Sequence, residues 1–233
     1  NFFSIEAHCF RSRIMARQMT FGMYPLSDPD NAECIILWGH NPDATEPPLA
    51  DRINKLLDEG LRLIVIDPKR LPLAKKGLFL QIKPGTDAAL ALAMIHVIIR
   101  EGLYDRQFID NYTTGFEQLV SHVVDFTPEW AAEICEVPAE DIYHISHIFA
   151  GAKSACIEAG ICSLDQQING FQTNRALAIL QAITGNINKP GGWCQNPFMR
   201  MPDLRLVDGY QGQMPIGCKD YPIFHGFCGM TSP

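Results

Sequence analysis

None of the chain's eight cysteines (9, 34, 135, 156, 162, 194, 218 and 228) forms a Cys-x-x-Cys pair, so the chain carries no half-site for zinc and no iron–sulfur motif of its own. There is no Gly-x-Gly-x-x-Gly loop, which makes an ordinary NAD or FAD domain a poor fit. There is no Gly-x-Ser-x-Gly elbow either, and nothing identifies a hydrolase triad. No basic block is longer than "PKR" or "AKKG", and the net charge is -7, so nucleic acid is set aside as a partner. The longest apolar run, "AALALAMIHVII", is too short for a bilayer and contains His96, so no direct membrane span is expected. An initial methionine and a signal-like leader are also missing, and the sequence reads as a piece of a longer polypeptide.

What remains is a globular composition: 233 residues, 47% hydrophobic and 19% charged. That is enough chain to bury a core without disulfide or metal staples. "ECIILWG" (33–39), "LRLIVID" (61–67), "LFLQI" (78–82) and "SACIEAG" (154–160) read as continuously apolar, buried strands, with Cys34 and Cys156 acting as small hydrophobes. Helices are expected between them. "PLADRINKLLDEG" has prolines at its start and Gly60 at its end, and "PGTDAALALAMIHVIIREG" starts at Thr86 or Asp87 and is apolar nearly all round. "FEQLVSHVV" shows Phe116, Leu119, Val120, Val123 and Val124 at helical spacing, "AEDIYHISHIFA" turns Ile142, Ile145 and Phe149 inward, and "TNRALAILQAITGN" ends at Gly185. This order implies an α/β fold: a doubly wound, mostly parallel sheet with helices on both faces, Rossmann-like. Residues 1–200 form that domain in this reading, and the Gly/Pro-rich stretch 201–233 leads into a further domain.

In such a sheet, ligands lie beyond the carboxyl ends of the strands. Those ends carry "GHNP", "DPKR" and "KPGTD". Gly39 admits close approach to the backbone, Asn41 offers an amide, and Asp67 stands where an acid accepts ribose hydroxyls. Lys69 and Arg70 can neutralise phosphate, and Gly85 and Thr86 open a helix whose free N–H groups suit an anion. Each alone is ordinary turn chemistry; three such loops on one crevice point to a nucleotide site. His144 and His147 lack a third metal ligand and read as an exposed edge, and His225 with Cys228 is discounted likewise.

Taken together, "CFRSRIMARQMTFG", "LWGHNPDATEP", "LIVIDPKR", "IKPGTDAALALAMIHVIIREGLYDRQFIDNYTTGFEQL", "TPEWAAEICEVPAEDI" and "NGFQTNRALAILQAITGNINKPGG" resemble the catalytic subunit of the molybdopterin oxidoreductases, the dimethyl sulfoxide reductase and formate dehydrogenase family. They cover nearly all of residues 5–197 in the family's order. The resemblance implies that Cys9, with Gly22 thirteen residues on, is the thiolate on molybdenum or tungsten, a soft donor suited to such a metal, with Arg11 and Arg13 supplying positive charge beside it. It implies a bis-molybdopterin guanine dinucleotide cofactor, with Gly39, Asn41, Asp67, Pro68, Lys69, Arg70, Gly85, Thr86 and Asp87 along its guanosine and phosphate end. Gln166, Asn169 and Gly170 would come near the pterin, and Arg200, in "NPFMR", near the active site.

The same resemblance implies a 4Fe-4S cluster in a missing N-terminal domain. The expected partners are the remaining domains of the subunit and an iron–sulfur electron-transfer subunit. Formate enzymes of the family have a histidine directly after the metal ligand; Phe10 stands there, which counts against formate. A non-redox nucleotide-binding module and a hydratase of the same family are the alternative readings.

Overall fold

The structure, a computed structural model, describes residues 9–195. In chain order these form α1 (Arg11–Phe21), β1 (Leu26–Ser27), β2 (Cys34–Trp38), α2 (Pro42–Thr45), α3 (Pro47–Asp58), β3 (Arg62–Ile66) and β4 (Leu78–Leu80). A helical stretch follows: α4 (Asp87–Arg100), α5 (Arg106–Tyr112), α6 (Phe116–His122), α7 (Pro128–Cys135) and α8 (Ala139–Ala150). Then come β5 (Ala155–Ala159), α9 (Ile161–Asp165), α10 (Gly170–Ile183) and β6 (Trp193–Cys194).

β2 to β5 build one parallel sheet in the order β4-β3-β2-β5, flanked by helices, as the apolar runs imply. All five residues of β2 are fully buried. A strand covered on both faces has no solvent side, hence no alternation in its sequence. In register, Cys34 to Trp38 pair with Arg62 to Ile66 on one side and with Ala155 to Ala159 on the other. Removing a branched side chain such as Ile64 from this interior costs about 2–5 kcal/mol by the usual large-to-small scale.

The helix signals act as their chemistry requires. α3 begins on Pro47 and Pro48 and buries Leu49, Ala50 and Ile53. It stops at Gly60, φ 104°, where the N–H of Leu61 donates to Leu56 O (2.9 Å) and that of Gly60 to Leu57 O (3.2 Å). This is the paired closure that needs a left-handed residue. α4 is buried nearly all round, and the Nδ1 of its His96 lies 2.8 Å from Val123 O, a satisfied core histidine.

Four details depart from the sequence reading. The third strand ends at Leu80 because its partner β3 ends at Ile66, so Gln81 and Ile82 have no ladder to join. α6 closes at His122, so Val123 and Val124 do not continue its apolar stripe: Val123 is buried, whereas Val120 and Val124 are exposed. Thr86 sits at the cap position of α4, but its hydroxyl turns back to Lys83 O (2.7 Å) instead of capping the helix. A second, antiparallel sheet pairs Leu26 with Cys194 and Ser27 with Trp193; two-residue strands leave no periodic trace in a sequence.

Candidate functional site

From β2 the chain steps to β3 and β4 on one side, then returns to lay β5 on the other. That reversal opens a crevice at the carboxyl ends of β2 and β5. Its floor is tight. The N–H of Gly160 donates to Trp38 O (2.8 Å), and a Cβ on Gly160 would stand 1.8 Å from Gly39 O. Gly39, φ 56°, faces Ser163, whose Oγ donates to Gly39 O (2.8 Å) and would be 2.4 Å from an added Cβ. The missing side chain of Gly39 is therefore demanded by the protein's own packing. The sequence reading gave that freedom to a ligand.

Next to these glycines, two buried polar atoms have no hydrogen-bond partner: His40 Nδ1 and Asn41 Oδ1. Burial lowers the His40 pKa, the Glu46 carboxylate opposes this and the Arg13 guanidinium adds to it, so the imidazole is biased towards its neutral form. An orphaned buried acceptor is costly, about 1–3 kcal/mol, unless a ligand or water satisfies it.

The tips of β3 and β4 are open by contrast. Pro68, Lys69, Arg70 and Gly85 are exposed. Asp67 is nearly buried; its Oδ1 accepts the Lys69 N–H (2.7 Å), and burial raises its pKa. One oxygen of the predicted ribose acceptor thus already serves the turn. Gly85 has φ 82°, and an added Cβ would meet nothing nearer than Gln167 Oε1 at 4.0 Å. A cavity of about 470 Å³ lies against these tips, lined by Pro68, Arg70, Phe79 and Lys83 and by the carboxylates Glu136 and Asp141, with Lys83 Nζ paired to Glu136 Oε1 (2.6 Å) and the Arg70 guanidinium 4.5 Å from the Phe79 ring centroid. Its size is within the range of ligand pockets.

Asp87 joins the two halves. Its Oδ1 accepts the indole N–H of Trp38 (2.9 Å), tying the start of α4 to the end of β2. Burial raises the Asp87 pKa, the bonds from Trp38 and Gln167 oppose the rise, and the nearby Asp67 charge adds to it. Gln167 therefore bridges the α9–α10 loop to the amino end of α4. The sequence reading chose its neighbour Gln166, which is exposed at the end of α9. Asn169 is exposed at the cap position of α10, and Gly170, buried, is held to glycine by Asp165 O, 2.6 Å from where a Cβ would be. Ile168, on the same loop, stands fully exposed. Arg200, like His225 and Cys228, lies outside the described residues.

Cys9 is partly exposed, two residues before α1. The Arg13 guanidinium, one turn further on, donates to Ala159 O and Gly160 O (both 2.7 Å), which places the amino end of α1 at the tip of β5. That contact has no pattern in the sequence, where Arg13 reads only as charge near the thiol. Among the described residues, no group of three or more His, Cys, Asp or Glu side chains could hold a metal ion. His147 Nε2 lies 2.6 Å from Glu101 Oε2 on an exposed edge, as expected.

Residues 5–213 match the family model of the molybdopterin oxidoreductases. The chain belongs to that family. The F420-dependent formate dehydrogenase subunit alpha of Methanocaldococcus jannaschii is 40% identical over 94% of this chain and 30% of its own length. Acetylene hydratase of Syntrophotalea acetylenica is 34% identical over the whole chain and 33% of its own length. The solved acetylene hydratase from Pelobacter acetylenicus superposes with a TM-score of 0.76 at 33% identity, over 79% of this chain and 26% of the other. The chain thus spans about a third of the curated relatives' length. Among the described residues, no helix of this molybdopterin oxidoreductase chain is long and apolar enough to cross a membrane.

The residues present fit a family cofactor with a polar, anionic end. Asn41 Oδ1 lacks a partner, the space beside Gly85 is free, and Lys69 and Arg70 are exposed next to the cavity.

Proposed function

We propose that this chain is the cofactor-binding part of a molybdenum or tungsten oxidoreductase that uses bis-molybdopterin guanine dinucleotide, with Cys9 as the protein ligand to the metal. Residues 1–200 serve as its Rossmann-like binding domain in this reading, and 201–233 lead into a further domain. The observation that carries it is the Arg13 contact with Ala159 O and Gly160 O, because it brings the helix behind Cys9 to the same strand tips that leave Asn41 Oδ1 unsatisfied.

When bound, the cofactor supplies the two-electron chemistry at its metal. The protein's part is to hold and orient. Cys9 offers a soft thiolate. Asp67 accepts from ribose, Lys69 and Arg70 neutralise phosphate, and the positive end of the α4 dipole, reached past Gly85, favours an anion. Asn41 gains the donor it lacks. Gln166, Asn169 and Gly170 lie on the pterin side, and Arg200 belongs near the reacting centre.

Phe10 follows Cys9 directly, so formate is not the substrate we assign despite the formate dehydrogenase relative. A second reading, hydration of an unsaturated substrate with the metal as Lewis acid, draws support from the acetylene hydratase likeness over the whole chain. Redox titration during turnover separates them. The remaining domains of the subunit, a 4Fe-4S cluster in an N-terminal domain and an iron–sulfur partner subunit complete the proposal; the named "subunit alpha" of the relative supports such an assembly.

The test is expression of the complete enzyme with molybdate or tungstate, followed by metal and guanine-nucleotide analysis. Cys9→Ala is expected to retain guanine nucleotide and lose turnover. A cofactor-bearing Cys9→Ala variant with wild-type activity would overturn Cys9 as ligand.

A further inference from the structure

α1 meets the rest of the fold through charge as well as hydrocarbon: beside Met15 and Ala16 it buries two arginines, Arg13 and Arg17. Arg13 is only 4% exposed. Its Nη1 donates to Ala159 O (2.7 Å), and its Nη2 to Gly160 O (2.7 Å) and Asp165 Oδ2 (2.9 Å). Asp165 is equally committed: its Oδ1 accepts the main-chain N–H of Arg13 (2.8 Å), so one carboxylate both pairs with the guanidinium and closes the first turn of α1. Ser12 Oγ adds a bond to Asp165 O (3.3 Å), and Asn174 Nδ2 lies 3.4 Å from Asp165 Oδ1.

Phe10, between Cys9 and the helix, is held in a left-handed conformation, φ 76°, which costs a non-glycine residue about 1–2 kcal/mol. Its ring packs edge-on against Tyr24 (5.2 Å) and lies 5.8 Å from the Arg13 guanidinium. The residue after Cys9 thus lies beside the same cation that grips β5.

A buried ion pair is a weak source of stability, because desolvation of the two charges offsets most of their attraction; a matched apolar pair does as well or better. What such a pair supplies is geometry: a fork with fixed directions that a hydrophobic contact cannot imitate. Arg13 Nε is left buried without a partner, so the arrangement is not the one that best satisfies the guanidinium. It is the one that reaches the strand tip.

We infer that Arg13 and Asp165 are positioning residues that fix the Cys9 sulfur over the carboxyl tip of β5 and thereby act on the metal through Cys9. The inference rests on the reading of Cys9 as metal ligand.

The complete, cofactor-loaded enzyme tests it. Stepwise reduction with dithionite gives the metal(V) state, whose paramagnetic resonance signal reports the sulfur ligand's position, and metal and guanine content are measured on the same samples. Arg13→Gln and Asp165→Asn are expected to keep metal and guanine nucleotide at wild-type stoichiometry and to show a shifted, broadened signal. Arg13→Lys, which keeps the charge but loses the fork, is expected to give an intermediate signal. A wild-type signal in both Arg13→Gln and Asp165→Asn overturns the inference. If the single variants do not fold, the apolar pair Arg13→Met with Asp165→Leu is read in their place: a displaced signal supports the clamp, and a wild-type signal rejects it. Cys9→Ala is the control for the underlying reading. A signal unchanged in Cys9→Ala rejects Cys9 as ligand, whereas a signal changed there but not in the Arg13 and Asp165 variants rejects only the clamp.

Discussion

The two halves of the crevice are built on opposite plans. At the tips of β2 and β5, backbones touch, Gly160 has no room for a methyl group, and a guanidinium and a carboxylate are buried together. At the tips of β3 and β4, Lys69, Arg70 and Gly85 are exposed beside a cavity of about 470 Å³. One half is close-packed, and the other is open. The difference is one of room: the tight half holds the start of α1 through Arg13, and the open half leaves Lys69 and Arg70 exposed beside a cavity.

Substitutions at the two tips break this comparison if it is wrong. Gly160→Ala forces a Cβ to 1.8 Å from Gly39 O, a backbone atom that cannot step aside. Overpacking of this kind costs about 3 kcal/mol, read as a lower midpoint in urea unfolding. An unchanged midpoint would show that the tips are not in contact.

On the open side, Lys69→Ala with Arg70→Ala should leave stability within about 0.5 kcal/mol, as exposed surface changes do. The same pair should weaken guanosine diphosphate binding about tenfold in calorimetry at low salt, an effect that shrinks as salt screens it. A large loss of stability with no change in affinity would invert the assignment of the two halves.

The smallest effect concerns His40. Burial, helped by Arg13 and opposed by Glu46, depresses its pKa below 6.5 in the folded chain. A depressed folded pKa favours the neutral form, so its contribution is present above pH 6.5 and is lost as pH falls through the folded value. His40→Gln should therefore flatten the acid limb of stability below pH 6.5 and leave the neutral region level. A steeper acid limb in that variant would contradict the sign.

The contrast also marks how far the sequence could be read. The parallel strands were legible to within about a residue, because β2, β3 and β5 are buried on both faces and so appear as unbroken apolar runs. The exposed half of the crevice was legible too, since turn residues and cations advertise themselves. The tight half was not. Arg13 sits four residues from Cys9 in sequence, but its partners are 146 and 147 residues away, and no local pattern encodes such a pairing. The tie from Gln167 to Asp87 was not legible, because two adjacent identical side chains on a loop give no phase to tell which one reaches α4. Gly39 was recognised as necessary for a reason that belongs to Ser163, which only the return of β5 brings close.

X-ray absorption at the metal edge of the complete enzyme tests the central claim most directly, wild type against Cys9→Ala. The account predicts one sulfur neighbour fewer around the metal in the variant, with guanine content unchanged. An identical sulfur shell in both proteins would contradict it.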